Sequence, residues 1–385
     1  MTRPERLTRV VLSMHDIILD MTPTAINRTA IFHIALDTAK ALTGKVRGFR
    51  YMTSDFTDPI SDLEKLNAMR GEVLNAILGD QGLINSILHD NKKMEQSTIR
   101  TSRIFYFDPL YSLFDELHGD DIVLILDLTP VTNPEWHNPR VCELYRAALL
   151  RVASSGARVA SISFNTAQAL WANFGIPYDK VIVVPLYLRD GVGANSQDLM
   201  DEQPASKTLL FVGSLESRKN LTGLFRGFEA SGLAGEGYML AIAGGNGAGA
   251  DEIRAVGKNI KGVEILGFVS DEDLRQLYRT ANAFVYPSYL EGFGVPILEA
   301  ASWGLPIMTS ITGATSEVSP AGSILVDPYN VTSISRGLRQ IIALGEDERI
   351  CAAAVNREHA SRFNFSRYMK VIENLLLPID RGADQ

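Results

Sequence analysis

Residues 283–310 read AFVYPSYLEGFGVPILEAASWGLPIMTS and contain the clearest structural pattern in the chain. Their apolar start predicts a buried strand that ends at Pro287. Pro296 stands where the first turn of a helix favours proline, and Gly304 predicts the end of that helix. The residues PIMTS, 306–310, predict the next strand. A strand, loop, helix and strand in this order form the repeating unit of a parallel sheet.

The same alternation of apolar strands and helical stretches runs through the rest of the chain. In the first half it predicts strands at RVVLSM (9–14), DIVLIL (121–126), RVASIS (158–163) and KVIVVPLYL (180–188). In the second half it predicts strands at TLLFVG (208–213), YMLAIAGG (238–245), VEILGFV (263–269) and SILVDP (323–328). Helical stretches between such strands indicate α/β architecture with parallel sheets covered by helices.

A polar segment without apolar periodicity, residues 189–206, separates two halves of similar size. A chain of 385 residues with 46% hydrophobic content can build a core in each half. We therefore predict two Rossmann-like domains, residues 1–195 and 196–365, with a ligand cleft beyond the carboxyl ends of their strands. Residues 55–103 are the exception, since they predict two helical pieces with no strand between them.

Composition narrows the functional classes. The net charge of −8 argues against a general nucleic-acid binder, which needs a basic face to collect phosphates. The chain shows no signal-peptide pattern and no apolar run of membrane-spanning length, so we expect a soluble cytoplasmic protein. Cys142 and Cys351 have no ligand spacing around them and are expected to be buried free thiols.

Two acids, Glu291 and Glu299, flank the turn formed by Gly292, Phe293 and Gly294. The backbone N–H groups of residues 293–295 would be the unpaired donors of a helix start, which attracts phosphate. A phosphate there, with one acid on each side, matches the parts of a nucleotide-sugar. The alternative is that Glu291 is a solvated loop acid and Glu299 interacts only with the helix dipole.

SYLEGFGVPILEAASWGLPIMTS, residues 288–310, resembles the E-x7-E motif of the retaining GT-B glycosyltransferases of family 4, the glycosyl transferases group 1. FVGSLESRKNLTGLFRGFE, residues 211–229, resembles the phosphate-loop segment of that family. The run 263–288 resembles the approach to the motif. In the first half the resemblance is carried by residues 23–42, 127–136 and 162–186.

The resemblance implies a GT-B fold and a role for each residue of the motif. Glu291 would approach the hydroxyls of the donor sugar, and Glu299 would bind the ribose. The amides of Phe293, Gly294 and Val295 would hold the diphosphate. The C-terminal helix, residues 366–385, would pack back on the first domain.

The resemblance also implies that fixed positive charge, not a metal or cofactor, neutralises the departing diphosphate. Arg218 and Lys219 would supply that charge. Ser214 stands where relatives often carry arginine, and Arg218 would substitute for it. The base would lie near four residues at the ends of two strands, namely Gly244, Gly245, Ile265 and Leu266.

First-domain residues would face the donor phosphate and the acceptor. PTAINR resembles a phosphate-side loop and implicates Thr24, Ala25 and Arg28. Asp127 matches an acid that relatives often precede with histidine, but Leu126 holds that place here. His137 is a further candidate for acceptor contact, and a solvated loop histidine is the alternative.

The resemblance thus implies a retaining, metal-independent hexosyltransferase of cell-surface polysaccharide synthesis, with GDP-mannose as the favoured donor and a glycan or lipid-linked saccharide as acceptor. Its alternatives are a nucleotide-sugar epimerase or hydrolase and a non-catalytic nucleotide-sugar- or glycan-binding protein. RPERLTR and KVRGFR are compatible with peripheral contact to an anionic membrane, or with a solvated face.

Two other patterns are weaker. GGNGAGA, residues 244–250, with Glu264 fits a dinucleotide-binding variant, which would leave the two acids unexplained. The D-x-D of residues 271–273 has a metal-binding form, but it precedes a helical stretch in which acids favour the helix start.

Overall fold

The computed structural model describes residues 14–26, 29–79, 101–194 and 206–377. The strands of the first sheet are β1 (Ile17–Asp20), β2 (Gly48–Tyr51), β3 (Ser54–Phe56), β4 (Arg103–Tyr106), β5 (Ile122–Ile125), β6 (Arg158–Ser161) and β7 (Val181–Val183). Their order across the sheet is β3-β2-β1-β4-β5-β6-β7. Neighbouring strands are parallel, except that β3 runs antiparallel to β2 at one edge.

The second sheet is wholly parallel in its described pairings. Its strands are β8 (Thr208–Val212), β9 (Met239–Ala243), β10 (Val263–Gly267), β11 (Ala283–Tyr286), β12 (Ile307–Ser310) and β13 (Ile324–Val326). Their order is β10-β9-β8-β11-β12-β13. The order reverses beside β8, so the crevice at the carboxyl ends of β8 and β11 is where such a sheet binds ligands.

Helices cover both sheets. In the first half they are α1 (Pro23–Ile26), α2 (Ala30–Leu42), α3 (Leu63–Leu78), α4 (Thr129–Thr132), α5 (Pro139–Ser155) and α6 (Phe164–Phe174). In the second half they are α7 (Leu221–Ser231), α8 (Ala250–Gly257), α9 (Asp271–Thr280), α10 (Val295–Ser302), α11 (Gly313–Val318), α12 (Val331–Ile342), α13 (Glu346–Ser361) and α14 (Phe365–Leu376).

Local chemistry explains the ends of these helices. The side chain of Ser163 accepts from the N–H of Thr166 at the start of α6, and Gly175 ends that helix with φ of 66°. The hydroxyl of Ser270 accepts from the N–H of Asp273 at 3.1 Å. The D-x-D of residues 271–273 therefore forms the first turn of α9, where acids interact favourably with the helix dipole.

The predicted strands of the second half agree with β8 to β13. In the first half, the prediction at residues 9–14 lies almost wholly outside the described residues. The strand before the first helix is instead β1, and β2, β3 and β4 were not predicted. Each contains a charged residue, with the sequences GFRY, SDF and RIFY, so none shows the continuous apolar run that predicts β5, which reads IVLI. Residues 55–103 begin within β3, contain α3 and end at β4, and residues 80–100 lie outside the described part.

The C-terminal helix α14 packs against the first domain. Tyr368, Ile372 and Leu376 lie in one buried cluster with Ile17 and Leu19 of β1. Polar contacts hold both ends of the helix as well: the Tyr368 hydroxyl lies 2.9 Å from the Thr38 hydroxyl, and Arg103 donates to the Leu376 carbonyl at 3.0 Å. The predicted boundary between residues 195 and 196 falls in the segment 195–205, outside the described residues.

The prediction of buried cysteines is wrong. Cys142 is partly exposed on the first turn of α5, and Cys351 is exposed on α13; both thiols are free. Cys351 points to solvent, and the Cys142 thiol donates to the Pro134 carbonyl at 3.7 Å beside the helix start, so the apolar character of cysteine does not decide its burial here. Within the described ranges, no helix is long and apolar enough to cross a membrane.

Candidate active site

The loop after β11 places a row of backbone donors at the start of α10. Gly294 is the N-cap residue, with φ of 109°, and Pro296 lies in the first turn. Among the described residues, none accepts a hydrogen bond from the N–H of Phe293, Gly294 or Val295. Unpaired donors at a helix start form an anion site, and the positive φ favours glycine at position 294.

Glu291 lies buried in the same loop, only 7% exposed. Its Oε1 accepts from Lys219 Nζ at 2.9 Å, from the Tyr286 hydroxyl at 2.8 Å and from the Ser288 hydroxyl at 3.1 Å. Its Oε2 accepts from Arg218. Burial alone would raise the pKa of Glu291, but the charges of Lys219 and Arg218 lower it to about 2. The carboxylate is therefore ionised at neutral pH.

Arg218 joins Glu291 to a second acid. Its Nε donates to Oε2 of Glu216 at 2.7 Å, while Oε1 of Glu216 accepts from the Ser214 hydroxyl. Burial opposes the charge of Arg218, but Glu291 and Glu216 raise its pKa overall. Ser214, predicted to touch the donor, thus orients the acid that holds Arg218.

Lys219 is the buried member of the basic pair, 6% exposed. Its ammonium lies 5.2 Å from the centroid of the Tyr286 ring and donates to the Tyr286 hydroxyl at 2.7 Å. The next residue, Asn220, donates to the carbonyls of Pro287 at 2.9 Å and Pro328 at 2.7 Å. The loops after β8, β11 and β13 are therefore held together around the two cations.

Glu299 has a different environment from Glu291. It is 6% exposed, and its Oε2 accepts from the Tyr278 hydroxyl of α9 at 2.8 Å. Burial raises the pKa of Glu299, partly offset by that hydrogen bond and by the charge of Arg189. The two acids of the motif therefore differ in electrostatic environment, because nearby cations lower the pKa of Glu291 whereas burial raises that of Glu299.

The first domain meets this loop at Gly292. A Cβ atom at Gly292 would lie 2.1 Å from the Leu126 carbonyl oxygen and 3.1 Å from Cβ of Asp127. Real Cβ atoms do not approach so closely, so only glycine permits this contact. The structure thus brings the end of β5 against the loop that carries Glu291.

Asp127 and His137 are brought together through Thr129. Oδ1 of Asp127 accepts from the Thr129 N–H at 3.0 Å and from its hydroxyl at 2.7 Å. His137 Nε2 lies 3.0 Å from the same hydroxyl. Because that hydroxyl gives its hydrogen to Asp127, the network assigns the proton of His137 to Nε2. Burial lowers the pKa of His137, so the imidazole is neutral at pH 7.

An aromatic stack also joins the domains beside these residues. The Trp136 ring lies 6.2 Å from the Tyr289 ring at 19°, and Tyr289 lies 4.7 Å from Tyr329 at 27°. Tyr289 directly precedes Leu290 and Glu291, and its N–H donates to the Arg218 carbonyl at 2.9 Å. The stack therefore fixes the loop from the first-domain side.

The predicted base-binding residues lie at the carboxyl ends of β9 and β10. Gly244 allows a close approach of two loops, since its Cβ would lie 2.0 Å from the Gly213 carbonyl oxygen. A Cβ at Gly245 would meet no atom within 4 Å. Ile265 and Leu266 are partly buried and pack against the second core.

The predicted phosphate-side loop is less accessible. Thr24 and Ala25 are fully buried on α1, and the Thr24 hydroxyl donates to the Met21 carbonyl at 2.7 Å. Their side chains thus serve the fold in this conformation. Arg28 lies outside the described residues.

Sequence reasoning missed four polar partners of the site: Tyr286, Ser288, Glu216 and Asn220. Tyr286 and Ser288 flank the end of β11, where a polar residue after an apolar run was a usable signal. Glu216 and Asn220 flank Arg218 and Lys219 in the chain. Their roles depend on contacts with other loops, which spacing does not reveal.

A family model and several known proteins are similar to parts of this chain. Residues 199–357 match the family model of the glycosyl transferases group 1. Over 257 residues the chain is 29% identical to O-antigen chain mannosyltransferase B of Escherichia coli, covering 62% of this chain and 65% of that protein. Over 245 residues it is 25% identical to the serotype-specific mannosyltransferase WbdA of Escherichia coli, covering 58% of this chain and 30% of that protein.

Solved structures match nearly the whole chain. The Anabaena Alr3699/HepE complex with UDP and glucose has a TM-score of 0.63 at 14% identity, covering 94% of this chain and 99% of that one. Sucrose-phosphate synthase from Thermosynechococcus elongatus has a TM-score of 0.66 at 15% identity, covering 93% and 97%. These similarities confirm the predicted GT-B fold, and the family match confirms the resemblance found in the sequence.

Proposed function

Because the chain carries a glycosyl transferases group 1 domain over residues 199–357, we propose that it is a retaining, metal-independent hexosyltransferase. It transfers mannose from GDP-mannose to a glycan or lipid-linked saccharide of a cell-surface polysaccharide. The similarity to O-antigen chain mannosyltransferase B supports the sugar, while the second-domain loops support a nucleotide-diphosphate donor. The protein works in the cytoplasm, with peripheral contact to the membrane where the acceptor is lipid-linked.

One observation carries the proposal. The free amides of Phe293, Gly294 and Val295 lie directly after Glu291, which is itself bound to Lys219 and Arg218. Backbone donors at a helix start, together with one guanidinium and one ammonium group, suit a diphosphate. In this structure the carboxylates of Glu291 and Glu216 neutralise the two cations. The diphosphate of the donor must therefore displace one of these carboxylates from its cation to pair fully with the positive charge.

Arg218 is the cation that changes partner in this proposal. Its side chain is 20% exposed, whereas that of Lys219 is 8% exposed. When the diphosphate binds, Arg218 turns from Glu291 to the phosphate, and Oε2 of Glu291 becomes free to accept sugar hydroxyls. Lys219 stays paired with Oε1 and holds the carboxylate in place. As the sugar–phosphate bond breaks, Arg218 and the loop amides stabilise the charge that develops on the leaving oxygen.

The acceptor approaches from the first domain. The contact of Gly292 with Leu126 holds Asp127 and its Thr129–His137 partners beside the Glu291 loop, which supports an acceptor site on this side of the donor sugar. Attack occurs on the face that the diphosphate leaves, and a leaving phosphate oxygen takes the acceptor proton, which retains the anomeric configuration. Asp127 and neutral His137 then position the acceptor by hydrogen bonds, and closure of the cleft excludes water.

The direct test measures nucleoside diphosphate release from GDP-mannose and from UDP-linked hexoses, with and without mannose-containing acceptors. We expect GDP-mannose turnover that persists in EDTA and gives a product with the donor's anomeric configuration by NMR. Glu291→Gln should lower kcat by at least about 100-fold. Glu229→Gln, at an exposed acid on α7, is the matched control and should leave kcat unchanged.

Other outcomes select other functions. Tight GDP-mannose binding without release under any acceptor identifies a binding protein, and acceptor-independent release at full rate identifies a hydrolase. Turnover of UDP-hexoses alone refutes the GDP-mannose assignment but retains the transferase. Loss of all activity in EDTA refutes metal independence.

A further inference from the structure

A groove of about 610 Å³ lies between the two domains, outside the cluster around Glu291. Its first-domain wall is one face of α6, because Phe164, Gln168 and Trp171 are spaced at i, i+4 and i+7. Tyr178, just beyond that helix, completes the wall. The opposite wall is α11, which contributes Gly313, Ser316 and Glu317. The volume is that of a small-molecule site, about 300–1,000 Å³.

Topology places the groove beside the reaction centre. In the first sheet α6 follows β6, which neighbours β5 and hence Asp127. In the second sheet α11 follows β12, which neighbours β11 and hence the Glu291 loop. A Cβ at Gly313, the first residue of α11, would lie 3.6 Å from the Leu290 side chain. The groove therefore lies one strand beyond the centre in both sheets, on the side away from β9 and β10.

The first-domain wall exposes large aromatic rings. Phe164 is 54% exposed and Trp171 is 58% exposed, which is costly for apolar rings unless something covers them. The Phe164 and Tyr178 rings lie 6.2 Å apart at 30°. The amide side chains of Asn165 and Gln168 lie beside them. Ring faces pack on the C–H face of a sugar, and amides bond its hydroxyls.

The charges of the groove exclude an anionic occupant. Oε1 and Oε2 of Glu317 accept from the N–H groups of Phe164 at 2.9 Å and Asn165 at 3.0 Å. The start of α6 is thus already occupied by a carboxylate, so it offers no phosphate site. Among the described residues that line the groove there is no lysine or arginine. Phosphate and anionic lipid headgroups need such cations, whereas an uncharged saccharide does not.

We propose that this groove binds the uncharged glycan chain of the acceptor, several sugar units away from the hydroxyl that reacts. The inference rests on the proposed function, because it takes the reacting end of the acceptor glycan to run from the groove past Leu290 into the reaction centre. Trp171 and Phe164 hold the sugar rings, and Gln168 and Asn165 bond their hydroxyls. The groove makes long acceptors better substrates than short ones without changing the chemical step.

The test compares Trp171→Ala with Leu150→Ala, which removes an equally exposed apolar side chain from α5. With mannotetraose as acceptor, we expect Trp171→Ala to raise KM about tenfold and to leave kcat and the KM for GDP-mannose unchanged. With free mannose as acceptor, neither variant should differ from wild type. An unchanged KM for mannotetraose in Trp171→Ala, at unchanged thermal stability, overturns the proposal.

A second readout does not depend on turnover. The chain has three tryptophans, and Trp171 is the one with a freely exposed ring in the groove. Titration with mannotetraose should change the tryptophan emission of the wild type but not of Trp171→Phe. If GDP-mannose is not turned over but this titration saturates, the groove stands and the proposed function fails. Loss of binding to phosphatidylglycerol vesicles in Trp171→Ala, with saccharide binding unchanged, assigns the surface to membrane instead and overturns the proposal.

Discussion

Substitution of Gly292 by alanine tests whether the contact between the domains assembles the site. The new Cβ would lie 2.1 Å from the Leu126 carbonyl oxygen and 3.0 Å from its carbonyl carbon. Both neighbours are backbone atoms and cannot rotate away, so the loop and the end of β5 must separate by about 1 Å. A shift of about 1 Å between reacting groups costs on the order of 100-fold in rate. We therefore expect kcat for mannose transfer to fall about 100-fold in Gly292→Ala.

The assay is steady-state release of GDP from GDP-mannose in the presence of mannotetraose. The urea unfolding curve is recorded for the same variant, and its midpoint should stay close to that of wild type because each core is untouched. Gly71→Ala is the control, since a Cβ there meets no atom within 4 Å on the exposed face of α3. A kcat within twofold of wild type for Gly292→Ala would refute the role of this contact in catalysis.

Three further predictions concern the buried charges. Lys219→Met leaves the Glu291 carboxylate with one cation fewer and should lower the free energy of unfolding of the second domain by about 3–5 kcal/mol, seen as an earlier urea midpoint; an unchanged midpoint contradicts it. The pKa of Glu291 is about 2 instead of its ordinary 4.5, so its stabilising contribution is complete above pH 4.5 and is lost as pH falls toward 2. The stability difference between wild type and Glu291→Gln should therefore narrow by about 1 kcal/mol from pH 7 to pH 3.5, and a constant difference would show that the carboxylate is not held ionised by its partners. Tyr278→Phe removes the hydroxyl that bonds Glu299 and should cost about 1–3 kcal/mol at pH 7 by thermal denaturation, whereas no loss of stability would mean that Glu299 finds another partner.

The second domain was predictable from sequence because its signals are local. Pro287, Pro296 and Gly304 mark the ends of a strand and a helix within one short segment, and the strand β11 and helix α10 agree with them. The position of Glu291 between strand and helix follows from the same residues. Such signals depend on neighbours in the chain, which a sequence displays directly.

The first domain and the contacts between domains were harder to predict. Strands such as β2, with the sequence GFRY, contain a charged residue and lack a continuous apolar run, and they depend on partners distant in the chain. The link from His137 to Asp127 passes through the Thr129 hydroxyl, which no spacing identifies. The approach of Gly292 to Leu126 joins residues of different domains and becomes visible only when both are folded.

The position of α14 has a consequence for how the chain is made. On the ribosome the first domain emerges early, yet Tyr368, Ile372 and Leu376 fill part of its core and are synthesised after the second domain. Until then the nascent domain keeps an apolar surface open beside β1. The first domain is therefore completed only after the second has been synthesised, and its maturation waits for the second domain to leave the exit tunnel.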